Sequence, residues 1–115
     1  SVLRATAAQL EGDKVQLQLV MKLQFGSRAM PSEALVTAAD ISPHGDAILV
    51  RTYAAVYLYL RGPEQTVAQA LASPARRLPG PPEPQGESIT FTGDARSFLT
   101  VSEGVGAEIH CTALP

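Results

Sequence analysis

Three carboxylates, Asp40, Glu87 and Glu103, each adjoin a run of otherwise apolar, strand-forming residues, at an end of the run or near one. Carboxylate oxygens are the ligands that a hard cation such as calcium selects. If the fold draws these strand ends together, the three residues predict a calcium site; in the competing reading they accept hydrogen bonds from turn amides or pair with Arg51. Arg51 follows Ile48-Leu49-Val50 and precedes Thr52-Tyr53, so it lies within an apolar strand, where a buried guanidinium is costly unless paired. Its expected partners are Asp40, Glu87 or Glu103. Tyr57 and Tyr59 share one face of their strand, opposite Val56, Leu58 and Leu60, by two-residue alternation. Core packing and a ligand-stacking face both fit these tyrosines.

Other chemistries find little support in the residues. There is no metal-ligand spacing of the zinc type, no glycine-rich phosphate loop and no Gly-x-Ser-x-Gly elbow. His44 falls in a turn and His110 in the final strand, far apart in sequence, and both are expected to be surface or packing residues. The single cysteine, Cys111, precludes an internal disulfide; its place in an apolar alternation predicts a small buried core residue. Nine basic against 11 acidic residues give a formal net charge of -2, and the basic residues are scattered, so no nucleic-acid or anionic-membrane partner is expected. No apolar run approaches the roughly 20 residues that span a bilayer, and residues 1–10 lack the basic-then-apolar pattern of a signal peptide.

The elements that must position these residues are mostly strands. With 115 residues and 45% hydrophobic content, the chain is expected to fold around a real core. Residues 2–10 and 15–25 predict a hairpin about the loop 11–14, the second strand placing Val15, Leu17, Leu19, Met21, Leu23 and Phe25 on one face. A Gly, Ser and Pro-rich loop follows over 26–33. Strands are predicted over 35–41, 47–53 and 55–60, the first two joined by the turn Ser42-Pro43-His44-Gly45-Asp46. A short helix over 66–71 starts at a Thr66 cap, and 75–78 forms a brief edge strand. Four prolines in residues 79–86 preclude ladder pairing and predict an ordered, polyproline-like connector. Strands over 87–91, 97–102 and 108–113 complete the chain.

The last third repeats the central unit. Aligning Ser42 with Thr92 sets an offset of 50 at which Leu49 meets Leu99, Ile48 meets Phe98 and Thr52 meets Ser102. Turn-flanked three-strand units at this spacing suit the roughly 40 to 50 residue period of propeller blades. The segment SPHGDAILVR resembles the Ser-Pro-Asp-Gly strand-turn-strand signature of TolB-like bacterial propellers, with His44 at the aspartate position. Over residues 35–114 the chain is similar to bacterial, secreted propeller proteins of largely unassigned function, and Gly86-Glu87 with Ser102-Glu103 resemble elements of phytase-like propellers. Glu87 also resembles the glutamate that opens a blade in metal-dependent regucalcin and gluconolactonase propellers.

This resemblance implies an all-β chain of two to two-and-a-half four-stranded antiparallel propeller-type blades with one short helix between repeats. Residues 1–34 would be a partial blade (hairpin 2–25 plus loop), 35–79 a blade, and 80–115 a second, incomplete blade. It also implies an extracellular or periplasmic location. About nine strands make little over two blades, whereas a ring closes with four to eight. The expected partners are therefore the remaining blades of the same protein, or identical chains. Three functions stand: a binding or structural module with no cofactor, a calcium-assisted hydrolase of the phytase-like or lactonase type, and a partner-binding protein that uses exposed edges for strand addition, which predicts self-association. In the hydrolase, Glu87 and Glu103 would be ligands or acid-base groups and Arg51 an anion contact.

Overall fold

The computed structural model describes residues 1–26 and 31–115. Among these, nine strands form three antiparallel sheets, none of which closes on itself. The first is a short ribbon of β1 (Val2–Arg4) and β2 (Gln18–Met21). The second is a four-stranded meander of β3 (Val36–Ile41), β4 (Ala47–Thr52), β5 (Val56–Leu60) and β6 (Arg76–Leu78), in that spatial order. The third is a three-stranded meander of β7 (Gly86–Phe91), β8 (Ser97–Ser102) and β9 (Ile109–Ala113).

The mostly-β expectation holds, and the N-terminal hairpin is where it needs correction. Residues 2–10 do not run as one strand: Thr6 ends β1 by accepting the Gln9 and Leu10 amides on its carbonyl, while its own amide donates to Gln9 Oε1 at 2.7 Å, and Ala7–Glu11 coils into a 3-10 turn. Alanine, glutamine, leucine and glutamate favour helical backbone, and no partner strand is present to override them. The expected loop over 11–14 therefore lies within a longer connection, and the alternation of 15–25 forms a strand only at Gln18–Met21, where β1 supplies a ladder. Val15, Leu17 and Leu19 remain exposed, while Phe25 is buried. The expected loop at 26–33 lies partly outside the described residues. At its end, Pro31–Ala34 forms the single helical turn α1, with proline at the first position, which has no intrahelical amide bond to lose.

The repeat is exact in backbone terms. Ile41 pairs with Ile48 and Ala39 with Val50; 50 residues on, Phe91 pairs with Phe98 and Ile89 with Thr100. The ladder irregularity between Val36 and Ala38 recurs between Gly86 and Ser88. In each turn the first residue takes its amide bond from the strand that follows, Ser42 N to Ala47 O and Thr92 N to Ser97 O, both at 2.9 Å. The left-handed position is Gly45 (φ 72°) in one and Ala95 (φ 55°) in the other. Between the repeats, α2 (Val67–Leu71) opens on Thr66, whose Oγ1 accepts the Gln69 amide while Gln69 Oε1 accepts the Thr66 amide. This reciprocal capping box stabilises a helix too short to stand alone.

The sheets pack face to face. Leu49, Val56, Leu58 and Leu78 of the second sheet bury against Ile89, Phe91 and Phe98 of the third. Ile48, Val50 and Tyr59, on the opposite face, pack with Phe25 and with Ala70 and Leu71 of α2. Alternation sends successive residues of β4 into two different cores, so the strand is buried on both faces from Ile48 to Thr52.

Candidate functional site

Arg51 lies on the face of β4 turned toward the third sheet, 3% exposed. Its Nη2 donates to Glu83 Oε2 at 2.7 Å and its Nη1 to the Ser88 carbonyl at 2.8 Å. Glu83, 2% exposed, uses its other oxygen to accept the Thr100 hydroxyl at 2.7 Å, and His110 Nε2 stands 3.8 Å from that same oxygen. Arg51 Nε is buried without a partner. The arginine thus pairs as a buried guanidinium must, but with Glu83, not with Asp40, Glu87 or Glu103 as the sequence led us to expect. The reason is the connector. Prolines at 81, 82 and 84 fix the backbone on both sides of Glu83, and the chain is held inward across the sheet interface before β7 begins. A β-carbon on Gly86 would overlap Arg51 Cζ and Nη2, so the guanidinium occupies the space that the missing side chain leaves.

Asp40 sits near the end of β3 and joins the two sheets at a second point. Its Oδ2 accepts the Phe91 amide at 2.8 Å and the Thr90 hydroxyl at 3.0 Å, and its Oδ1 accepts the Ile41 amide at 2.8 Å. Thr37 donates to the Gly86 carbonyl at 2.8 Å. These contacts set β3 and β7 side by side in the same direction, with Glu87 level with the start of β3. Asp40, three residues further along, is therefore roughly 10 Å away along the strand at about 3.3 Å per residue. Glu103 lies at Glu87's end, its amide donating to the Gln85 carbonyl at 2.8 Å. Among the described residues, no three His, Cys, Asp or Glu side chains gather in a group able to hold a metal ion.

Glu87 does have a partner that the sequence did not reveal: Tyr53 donates its hydroxyl to Glu87 Oε1 at 2.7 Å. That hydrogen bond, with burial and the charges of Glu87 and Glu103 adding to it, pushes the Tyr53 phenol above its ordinary pKa. Tyr57 stacks obliquely on Phe25, ring centroids 4.7 Å apart at 46°, so its ring forms part of the packing around the second core. Tyr59 is buried in that core, and burial first, then the Tyr57 hydroxyl, raises its pKa. Cys111 is exposed, against the expectation of a core residue: its alternation is real, but it places the thiol on the outer face of the third sheet, which no other sheet among the described residues covers.

Two concavities flank these residues. One, about 310 Å³, is a shallow cleft of mixed polar and apolar lining, formed by Glu83, Ser102, Glu103, Glu108, His110 and the glycine loop at 104–106. The other, about 590 Å³, is an apolar trough against the second core, between Leu23 and Phe25 on one side and Val36, Ala39, Ile41, Ile48 and Val50 on the other. Asp40 reaches its rim, but its carboxylate is engaged with β7. The strongest polar constellation, Arg51–Glu83–Thr100–Ser88, is buried and paired within itself except at Arg51 Nε. It fixes two sheets against each other, with Glu83 at the wall of the smaller cleft.

Glu83 is the residue that sequence reasoning missed. It is the only charged group in the four-proline connector, and a lone carboxylate in a rigid, non-pairing segment beside an arginine-bearing strand was the signal available. Comparison with protein-family models, curated proteins and solved structures returns no match.

Proposed function

We propose that the chain is a binding or structural module built from propeller-type blades, whose partners are further sheets of the same kind in the same chain or in identical chains. The observation that carries this reading is the 50-residue repetition of turn, register and ladder irregularity in two sheets stacked face to face. Leu49, Leu58 and Val56, which the second sheet buries under the third, have Leu99, Cys111 and Ile109 as their counterparts, and these form the outer face of the third sheet. A face that one repeat buries and the next leaves open suits a stack that continues. An extracellular or periplasmic setting follows from the resemblance alone.

The alternative, a calcium-assisted hydrolase, would use Glu87 and Glu103 together with a hard cation. Tyr53 already engages Glu87, and Asp40 is bonded to β7. The two readings separate in a calcium titration of the melting temperature. The module reading predicts the same midpoint in millimolar calcium and in chelator; a calcium-dependent rise, lost in Glu87→Gln, would transfer the assignment to the metal-dependent reading.

A further inference from the structure

The connector between β6 and β7 carries Glu83 inward, but most of its length lies on the surface. Residues 76–82 read Arg-Arg-Leu-Pro-Gly-Pro-Pro. Arg76, Arg77, Pro79, Gly80 and Pro82 are exposed, whereas Leu78 is 5% exposed and Pro81 is half-buried. Exposure therefore follows a period of three: positions 76, 79 and 82 and positions 77 and 80 face solvent, while positions 78 and 81 face the protein. Three residues per turn is the period of the polyproline II helix.

The sequence enforces that backbone. Pro79, Pro81 and Pro82 hold φ near about −65°, and Leu78, Gly80 and Pro81 each precede a proline, which excludes them from the helical region. Within 79–82 only Gly80 has an amide, so the ladder that Leu78 makes with Val56 cannot be continued. The Glu83 amide donates to the Pro81 carbonyl at 2.9 Å, a tight turn that swings the chain inward as the exposed ridge ends. Both ends are anchored by buried groups, Leu78 in the core between the sheets and Glu83 on Arg51 and Thr100. Folding, not binding, therefore bears the entropy of ordering the segment. Arg76 and Arg77 are the one adjacent basic pair in the chain. Arg76 makes no ion pair among the described residues, and Arg77 stays 56% exposed beside Glu33.

We infer that residues 76–82 are a preformed docking ligand, and that the partner is a protein domain with an aromatic-lined groove flanked by carboxylates. Tryptophan and tyrosine rings of such a groove stack on Pro79 and Pro82, and their N–H and O–H groups donate to connector carbonyls that no strand engages. Arg76, one turn before Pro79 on the same ridge, meets the carboxylates. The inference goes beyond the module reading, because the occupant is a different protein and not a further blade.

The test is isothermal titration of the 115-residue chain with an SH3 domain of the kind that takes Arg-x-x-Pro-x-x-Pro ligands, up to about 1 mM, with a synthetic peptide of residues 75–85 titrated in parallel. The expected result is saturable one-to-one binding by both, the folded chain at least equal to the peptide because its conformation is already fixed. Arg76→Glu and Pro79→Ala, both at exposed positions, should each weaken binding by the chain about tenfold, with the melting temperature retained. Val105→Lys, outside the connector, should leave the affinity unchanged. Binding by the peptide that the folded chain fails to match overturns the inference, because the fold would then be hiding the ligand. Absence of binding by both overturns it too, as does binding by the chain that is indifferent to both connector substitutions. None of these outcomes touches the calcium titration that tests the module reading.

Discussion

Glu83 and Arg51 form a buried ion pair whose stability value is asymmetric. Assembling it costs the desolvation of two charges, so the pair as a whole adds little; removing one partner leaves the other charged in an apolar interface. Glu83→Gln should therefore destabilise the chain by about 3–5 kcal/mol, and denaturant unfolding will show it as a lower midpoint. Arg51→Met combined with Glu83→Gln should recover much of that loss, a recovery that would not occur if the two side chains acted independently. The turn aspartates act differently because they are exposed. The Ser42 hydroxyl, donating at 2.6 Å, is the main cause of a lowered Asp46 pKa, and the Thr92 hydroxyl, also at 2.6 Å, that of Asp94. With the folded pKa below the ordinary 3.8, the stabilisation is fully present above that value and disappears as pH falls through the folded pKa. Asp46→Asn and Asp94→Asn should each flatten the acid side of a stability-versus-pH curve below about pH 4 and leave its shape near neutrality unchanged.

At the scale of elements, the two strand-turn-strand units test how far a repeat tolerates substitution. Gly45 and Ala95 hold the same left-handed backbone position, which costs an alanine roughly 1–2 kcal/mol relative to its usual conformation. Gly45→Ala should lower stability by about 1 kcal/mol, seen as a small drop in melting temperature, while the turn persists because Ala95 already demonstrates that it forms. These units were legible in the sequence because turn residues and two-residue alternation are local signals. The N-terminal ribbon was not: the alternation of residues 15–25 is as clean as any in the chain, but a strand needs a ladder, and β1 offers only three residues. The helix at Thr66 was legible for the opposite reason, since its capping box lies within four residues of sequence.

For the whole molecule, the exposed apolar faces of the sheets matter more than any cleft. The radius of gyration is 15.0 Å, against roughly 13 Å for a fully compact chain of this length, as suits a row of stacked sheets whose outer surfaces remain uncovered. Ile41, Leu60, Val105 and Ile109 are among the large apolar residues left exposed. The expected constancy of melting temperature in calcium belongs at this scale, because a metal site would require Asp40, Glu87 and Glu103 to converge. The direction shared by β3 and β7 instead separates Asp40 from the other two.

By itself, the sequence determined the all-β class, the two turns, the 50-residue repeat and the capped helix, all set by interactions within a few residues or by side-chain periodicity. It also determined that Arg51 must have a partner, since burial of a charge demands one. Only the tertiary structure decided that the partner is Glu83, that Asp40 lies away from the end shared by Glu87 and Glu103, and that Cys111 faces outward. Each of these depends on how one sheet is laid on another, a relation between residues tens of positions apart that no local pattern encodes.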